Sequence, residues 1–314
     1  MSGSSHDELL AQVSRDYYLE NRPKVEIAAS HAISRFQVAR LLAEAREKGI
    51  VEIKVHFPSA FSDSDVRRLE SWLGIRQVVV ADSSGDENQA RRILAKAAAA
   101  EITRQAPAGG TLGISWSRTL DVASQLVRDL PRCDIVQLAG ALPAAAESNP
   151  LELIQRLGHL SDGMTWPLWA PLVVEDPITA SGLRRQQEIA GALTKADSLD
   201  LAVVAIGAWK AGSSTVWERA DESIRQRALE AGAVAECSGR LLDASGTAVK
   251  SGLDEHIIAV TIKQLQRTPN VIAVAQGKAR ADAVRAVARA GFITTLIMDI
   301  PLAKALYELM NEEK

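Results

Sequence analysis

Apolar positions along this chain change their spacing near residue 75, and the change divides it. Before that point they recur at helical spacing. Leu9, Leu10, Val13, Tyr17 and Tyr18 share one face of a segment running from about Asp7 to Asn21. Pro23 suits the start of a second, short helix carrying Val25, Ile27 and Ala28. After a tight break, Ser34 offers a side-chain oxygen as N-cap to a third helix, where Val38, Leu41, Leu42 and Ala45 form one stripe. Gly49 ends that helix, and Ile50, Ile53 and Val55 begin an extended run. Three helices with a strand behind them have the layout of a winged helix-turn-helix.

Phe57 to Ser64, with Pro58 and three serines, reads as a join, and a helix Asp63–Leu73 follows it. From there strands and helices alternate. Strand-like runs fall at Gln77–Ala81, Thr111–Ile114, Asp134–Leu138, Leu199–Ile206, Val271–Ala275 and Thr294–Met298. Helical segments fall at Asn88–Arg104, Arg118–Asp129, Leu151–Leu160, Asp221–Ala231, Arg280–Ala290 and Pro301–Leu309. Short apolar runs separated by helices predict a largely parallel sheet covered on both faces. The expected fold class is therefore α/β: a small, all-α winged helix-turn-helix over 1–57, then a large Rossmann-like domain over 58–314. In such sheets ligands bind beyond the carboxyl ends of the strands, which directs attention to the loops that follow them.

Composition adds constraints. The 314 residues are 47% hydrophobic and 24% charged, an ordinary globular balance. The start, MSGSSHDELL, lacks the basic and apolar regions of a secretory signal, and the most apolar windows fall short of the about twenty residues that span a bilayer. These features point to the cytoplasm, with no membrane partner. The net charge of −3 is not that of a protein that coats nucleic acid. Between Lys24 and Lys48, however, five basic residues face three acidic ones, and Glu44 and Glu47 fall late in the third helix. A weakly basic head needs two copies to bind a duplex well, which points to a homodimer or homotetramer. Cys133 and Cys237 lack metal or redox spacing, and five histidines are scattered singly, so neither metal nor cofactor is expected.

Candidate chemistry sits in two places. Lys24, Ser34, Arg35, Phe36, Gln37, Arg40 and Arg46 are the candidate DNA contacts of the head. Arginine suits guanine and glutamine suits adenine, while the Ser34 hydroxyl can reach phosphate. The same residues also read as the solvated face of a plain helical hairpin. In the body, GGTLGISWSRTL is a strand, a hydroxyl-rich turn and a helix start, suited to a phosphate or polyol, or simply to capping. It nearly matches a nucleophile elbow at Ser115, with Ser117 in place of the last glycine. His256 and an acid such as Asp243 would have to complete that triad. Gly207 to Ser214 resembles a phosphate-binding loop in composition only, because Lys210 precedes the second glycine. Trp166 and Trp169 around Pro167 could wall a pocket or pack in the core, and Asp299 reads equally as the cap of the last helix.

Together these segments resemble the SorC family of bacterial sugar-responsive transcriptional regulators. The resemblance rests on IAASHAISRFQVARLLAEAREKGIVEIKV in the head and on GTLGISWSRTL, GAVAECSGRLLDASG and VIAVAQGKARADAVRAVARAGFITTLIMD in the body. It implies a helix-turn-helix joined to a sugar-phosphate-binding domain related to phosphosugar isomerases. The partners implied are double-stranded operator DNA and a sugar, polyol or sugar phosphate, in control of a carbohydrate-catabolism operon. The alternative is an isomerase-like enzyme with a helical arm. Carried over by position, the effector contacts are Gly113, Ser115, Trp116, Ser117, Arg118, Thr119, Gln137, Gly140, Gly207, Glu236, Gln276, Gly277, Arg280 and Asp299. This chain departs from the family pattern where Ser117 and Gln276 replace glycines, Glu236 replaces aspartate, Arg280 replaces lysine and Ala39 replaces a serine.

Overall fold

A computed structural model describes residues 3–51, 61–82, 86–142 and 150–313. Ile53, Val55 and the first half of the expected join, 57–60, lie outside them. The chain divides into two compact units, Met1–Pro58 and Ser59–Lys314.

In the first unit, helices α1 (Gly3–Tyr18), α2 (Lys24–Ser30) and α3 (Arg35–Glu47) close around one core. Leu10, Val13, Ile27, Val38, Leu42 and Ala45 are buried together, and each lies on the stripe its helical spacing sets. Helix α3 begins with a complete capping box. The Ser34 hydroxyl accepts from the Gln37 N–H at 3.2 Å, and the Ser34 N–H donates to Gln37 Oε1 at 2.8 Å. In the turn before it, Ala32 adopts a left-handed φ of 53°. A side chain there costs roughly 1–2 kcal/mol.

In the second unit, helix α4 (Asp63–Leu73) leads into strand β1 (Gln77–Ala81). Helix α5 (Glu87–Gln105), strand β2 (Thr111–Ile114) and helix α6 (Arg118–Leu126) follow. The remaining strands are β3 (Asp134–Gln137), β4 (Thr165–Trp166), β5 (Leu201–Ala208), β6 (Ala233–Cys237), β7 (Arg240–Asp243), β8 (Asn270–Ala275) and β9 (Thr295–Asp299). The order across the sheet is β1-β9-β8-β5-β2-β3-β4, parallel throughout. Strand β5 shows why it is covered twice. Leu201 and Val203 join one buried layer, while Ala202 and Val204 join the opposite one. The six strands expected from apolar runs are present to within a few residues at either end.

Strands β6 and β7 were not expected, nor was the two-residue β4. They form a hairpin running antiparallel to the end of β5, pairing Gly207 with Glu236 and Cys237 with Arg240. Its turn is Ser238-Gly239, with φ of 51° and 79°, the doubly left-handed geometry that follows the twist of a two-residue hairpin. Helices Pro177–Arg184, Gln187–Lys195, Leu253–His256 and Ile262–Arg267 were also not anticipated.

Topology fixes where a crevice can form. From β2 the chain steps outward to β3 and β4, whereas from β5 it steps the other way to β8 and β9. The winding therefore reverses between β2 and β5, and the loops beyond their carboxyl ends diverge there.

Candidate functional site

At that reversal lies a cavity of about 780 Å³. Its floor is the end of β2 and β5, where the Ser115 N–H donates to the Val203 carbonyl at 2.8 Å. Three helices begin at its rim, each with a side-chain cap. Asp86 accepts from the Gln89 N–H at the start of α5, Ser117 from Leu120 at the start of α6, and Asp299 from Leu302 at the start of helix Ile300–Glu312. The amino ends of three helices thus add partial positive charge along one wall.

Two arginines reinforce that charge. The Arg280 guanidinium is half-buried and held by carbonyl oxygens, donating to Gln276 O at 2.5 Å and Ser213 O at 3.2 Å. Burial, and then the nearby Arg118 cation, lowers its pKa from the usual arginine value. Arg118, at the first position of α6, is exposed and makes no ion pair among the described residues. Asp299, Glu87 and Glu236 also act on Arg280, none more strongly than the Arg118 cation, and two cations that approach each other suit an anion.

Glu236 is buried near the end of β6, within electrostatic reach of Arg280. Its Oε1 accepts from the Gly239 N–H at 2.6 Å and its Oε2 from the Ser214 hydroxyl at 3.2 Å. Burial pushes this carboxyl above the ordinary glutamate range, although Gly239, Ser214 and Arg280 oppose the shift. Gly207 leaves the room: a Cβ there would lie 3.0 Å from Glu236 Oε2 and 3.1 Å from the Ser213 carbonyl. The Ser115 and Ser238 hydroxyls meet at 2.6 Å and tie the hairpin turn to the loop after β2. With Trp116, Leu142, Leu172 and Val216 forming apolar wall, the cavity joins hydroxyls, the buried carboxyls of Glu236 and Asp299, and the two arginines.

Of the positions singled out from sequence, Ser115, Trp116, Ser117, Arg118, Thr119, Gly207, Glu236, Gln276, Gly277, Arg280 and Asp299 line this cavity. Three others lie outside the lining. Gly113 sits within β2, where a Cβ would strike Leu138 and Leu199 at 2.6 and 2.9 Å. Gln137 spends its amide on the Ala139 carbonyl and the Leu168 N–H. Gly140 faces the backbone of Ala170 and Pro171, and its carbonyl accepts from the Trp116 indole at 2.8 Å. The last two support the wall from behind. Asp299 is the cap of the final helix and also receives the Gly277 N–H on both oxygens at 3.0 Å.

Sequence reasoning missed Asp86, Glu87 and Arg91 on the rim and Ser213, Ser214 and Ser238 within. The SSGDE sequence before α5 and the Ser-Gly pair after β6 were the available signals. The elbow triad does not assemble. Ser115 bonds Ser238, the His256 ring bonds the Val174 carbonyl at 2.9 Å, and Asp243 caps its own turn at Ser245 and Thr247. Cys133 and Cys237 are buried and unpaired, and no metal-ligating group of three side chains occurs among the described residues.

In the head, Arg35, Phe36, Gln37, Arg40 and Arg46 are exposed on α3. Ser34 and Gln37 are engaged with each other in the capping box. Arg46 folds back on the Leu42 carbonyl at 3.4 Å, and Lys24 lies 5.2 Å from the centre of the Tyr17 ring.

A family profile described as "Putative sugar-binding domain" matches residues 62–308. The sorbitol operon regulator of Klebsiella pneumoniae is 24% identical over 98% of this chain and 99% of its own length. The chain belongs to the SorC family of sugar-binding transcriptional regulators. Another relative, the deoxyribonucleoside regulator of Bacillus subtilis, is 24% identical over 95% of this chain and 97% of its own. The crystal structure of the full-length K. pneumoniae sorbitol operon regulator SorC superposes with a TM-score of 0.71 at 19% identity, covering 96% of this chain and 99% of that one. A DeoR-family transcriptional regulator from Listeria monocytogenes gives 0.69 at 23% identity over 77% of this chain and 98% of that one. None of the helices among the described residues is long and apolar enough to cross a membrane.

Proposed function

We propose that this SorC-family member is a cytoplasmic regulator of a carbohydrate operon, whose 59–314 unit binds a phosphorylated sugar or polyol. In this reading the first unit grips operator DNA in a homodimer or homotetramer, and the effector changes that grip. The observation that carries the choice of a phosphorylated effector is the pairing of Arg118 with Arg280 beside three helix amino ends. A phosphate there would receive charge-assisted hydrogen bonds, and the Ser115, Ser214, Ser238 and Glu236 side would receive the sugar hydroxyls. Arg35 and Arg40 would meet the duplex, with Arg46 and Lys24 nearer its backbone. The expected partition between base edges and phosphate follows from their places on α3 and α2.

Turnover receives less support than binding. A reaction on a phosphosugar needs an acid and a base both free to move a proton. Asp299 accepts the Gly277 and Leu302 N–H groups, Asp86 caps α5, Glu87 pairs with Arg91 and Glu218 accepts the Gly212 N–H, so the other carboxylates lining the cavity are each engaged.

The test is a thermal-shift screen of the full chain against sugar phosphates, each beside its free sugar or polyol. Stabilisation by a phosphate and not by its free counterpart is the expected result, through binding linkage. Arg280→Ala should weaken that ligand about 10- to 100-fold, the usual worth of a hydrogen bond to a charged group. Equal response to phosphorylated and free forms, or unchanged affinity in Arg280→Ala, would remove the phosphate from this reading.

A further inference from the structure

The outward face of α3 carries an unusual pairing. Helical geometry sets Val38, Leu41, Leu42 and Ala45 toward the core, so the positions opposite them are Phe36, Arg40, Ala43 and Glu47. Phe36 is 86% exposed, the most exposed of the large apolar side chains among the described residues. It stands one turn before Arg40 on the same face and next in sequence to the exposed Arg35. An aromatic ring left in water on the face that carries Arg40 gains nothing for the fold of the head.

The neighbouring polar candidate is differently placed. Gln37 gives its carbonyl oxygen to the Ser34 N–H and is turned back toward the start of its own helix. A bidentate contact to adenine needs both ends of that amide, so Gln37 in this conformation cannot make one. Of the first-turn residues on α3, an aromatic ring is therefore the group presented beside the arginines.

We infer that Phe36 is a specificity-determining residue of the head, reading the methyl group of a thymine in the major groove next to a base pair contacted by Arg40. The inference rests on the DNA-binding reading above and adds to it the base that is recognised. The occupant follows from charge and shape. The flanking Arg35 and Arg40 call for a polyanion, and thymine carries the one apolar group on a base edge in the major groove. The amino-terminal residues of the second helix are those that reach base edges in a helix-turn-helix. Withdrawing one methyl from contact with an apolar ring corresponds to about a fourfold loss of affinity.

The experiment selects duplexes from a randomised library with the full-length protein, then remakes the selected duplex with deoxyuridine for thymine, one position at a time. At one thymine in each half-site the wild type should lose about fourfold, and Phe36→Ala should bind the thymine and deoxyuridine duplexes equally. Arg35→Ala should bind both more weakly and keep the ratio between them. A thymine preference that persists in Phe36→Ala, or no deoxyuridine penalty in the wild type, would overturn the inference while leaving DNA binding intact. A change of subunit number in Phe36→Ala with duplex affinity unaltered would also overturn it, and would assign the ring to a protein contact. Recovery of no duplex at all would remove the DNA reading together with this one. Because Phe36 is exposed, its replacement leaves the core of the head untouched.

Discussion

Glu236 is the side chain whose physical state most depends on its surroundings. Its carboxyl is buried, and burial raises its pKa above the ordinary glutamate value of 4.5. The folded protein therefore holds this proton at pH values where the unfolded chain has released it. Stability from this group is neutral well below pH 4.5, where both states are protonated. It declines as pH rises from there through the folded-state value, and the full penalty is present above it. Glu236→Gln keeps an acceptor for the Gly239 N–H and removes the charge. The variant should melt higher than the wild type at pH 8, by an amount of order 1 kcal/mol or about 3 °C, with the advantage vanishing near pH 4. Melting curves across that range check the sign; a variant less stable at pH 8 and equally so at pH 4 would show that the carboxylate is not penalised. Effector affinity should fall in the same variant, since an amide cannot accept hydroxyl protons on both atoms.

At the scale of elements, the turn between α2 and α3 holds a correctable cost. Ala32 sits at φ 53°, a conformation glycine adopts without penalty. Ala32→Gly should stabilise the head by about 0.5–1 kcal/mol, the left-handed strain relieved less the entropy that glycine adds to the unfolded chain. Hydrogen exchange on the full chain reads this directly, as amides of α2 and α3 that exchange about two- to fivefold more slowly while those of β5 do not change. Faster exchange in the head would mean the methyl of Ala32 packs better than its backbone strain costs. The same scale explains what could be read from sequence. The parallel strands were legible because both faces of β5 and β8 are buried, which leaves unbroken apolar runs. The β6–β7 hairpin was not, because a buried glutamate interrupts β6 and two strands of five and four residues carry too few alternations. In the cavity, the loops after strands were predictable from topology, so most of the lining was found. Gln137 and Gly140 were placed in it by position along the chain, which gives the end of the sheet but not the direction of a side chain. Asp86 and Glu87 were passed over because they follow the edge strand β1, which lies apart from the reversal between β2 and β5 in the strand order.

For the molecule as a whole, the two units become a regulator only if occupancy of one alters affinity at the other. A ligand shifts an arrangement only through its different affinity for the two arrangements, and the coupling it exerts must be returned. The factor by which a sugar phosphate changes operator affinity must therefore equal the factor by which operator changes sugar-phosphate affinity. For coupling of 1–3 kcal/mol this factor is about 5 to 150. Titrating operator with and without saturating effector, then effector with and without saturating operator, measures it twice. Replacing Arg35 and Arg40 together should flatten the dependence of operator affinity on salt, because fewer counterions are released, yet leave effector affinity for the free protein unchanged. Replacing Arg280 should do the reverse, with operator affinity intact and its response moved to effector concentrations about 10- to 100-fold higher. If instead the two measured factors are both close to one while each ligand binds tightly, the cavity and the head are independent sites, and control of the operon would have to enter through some other change in the protein.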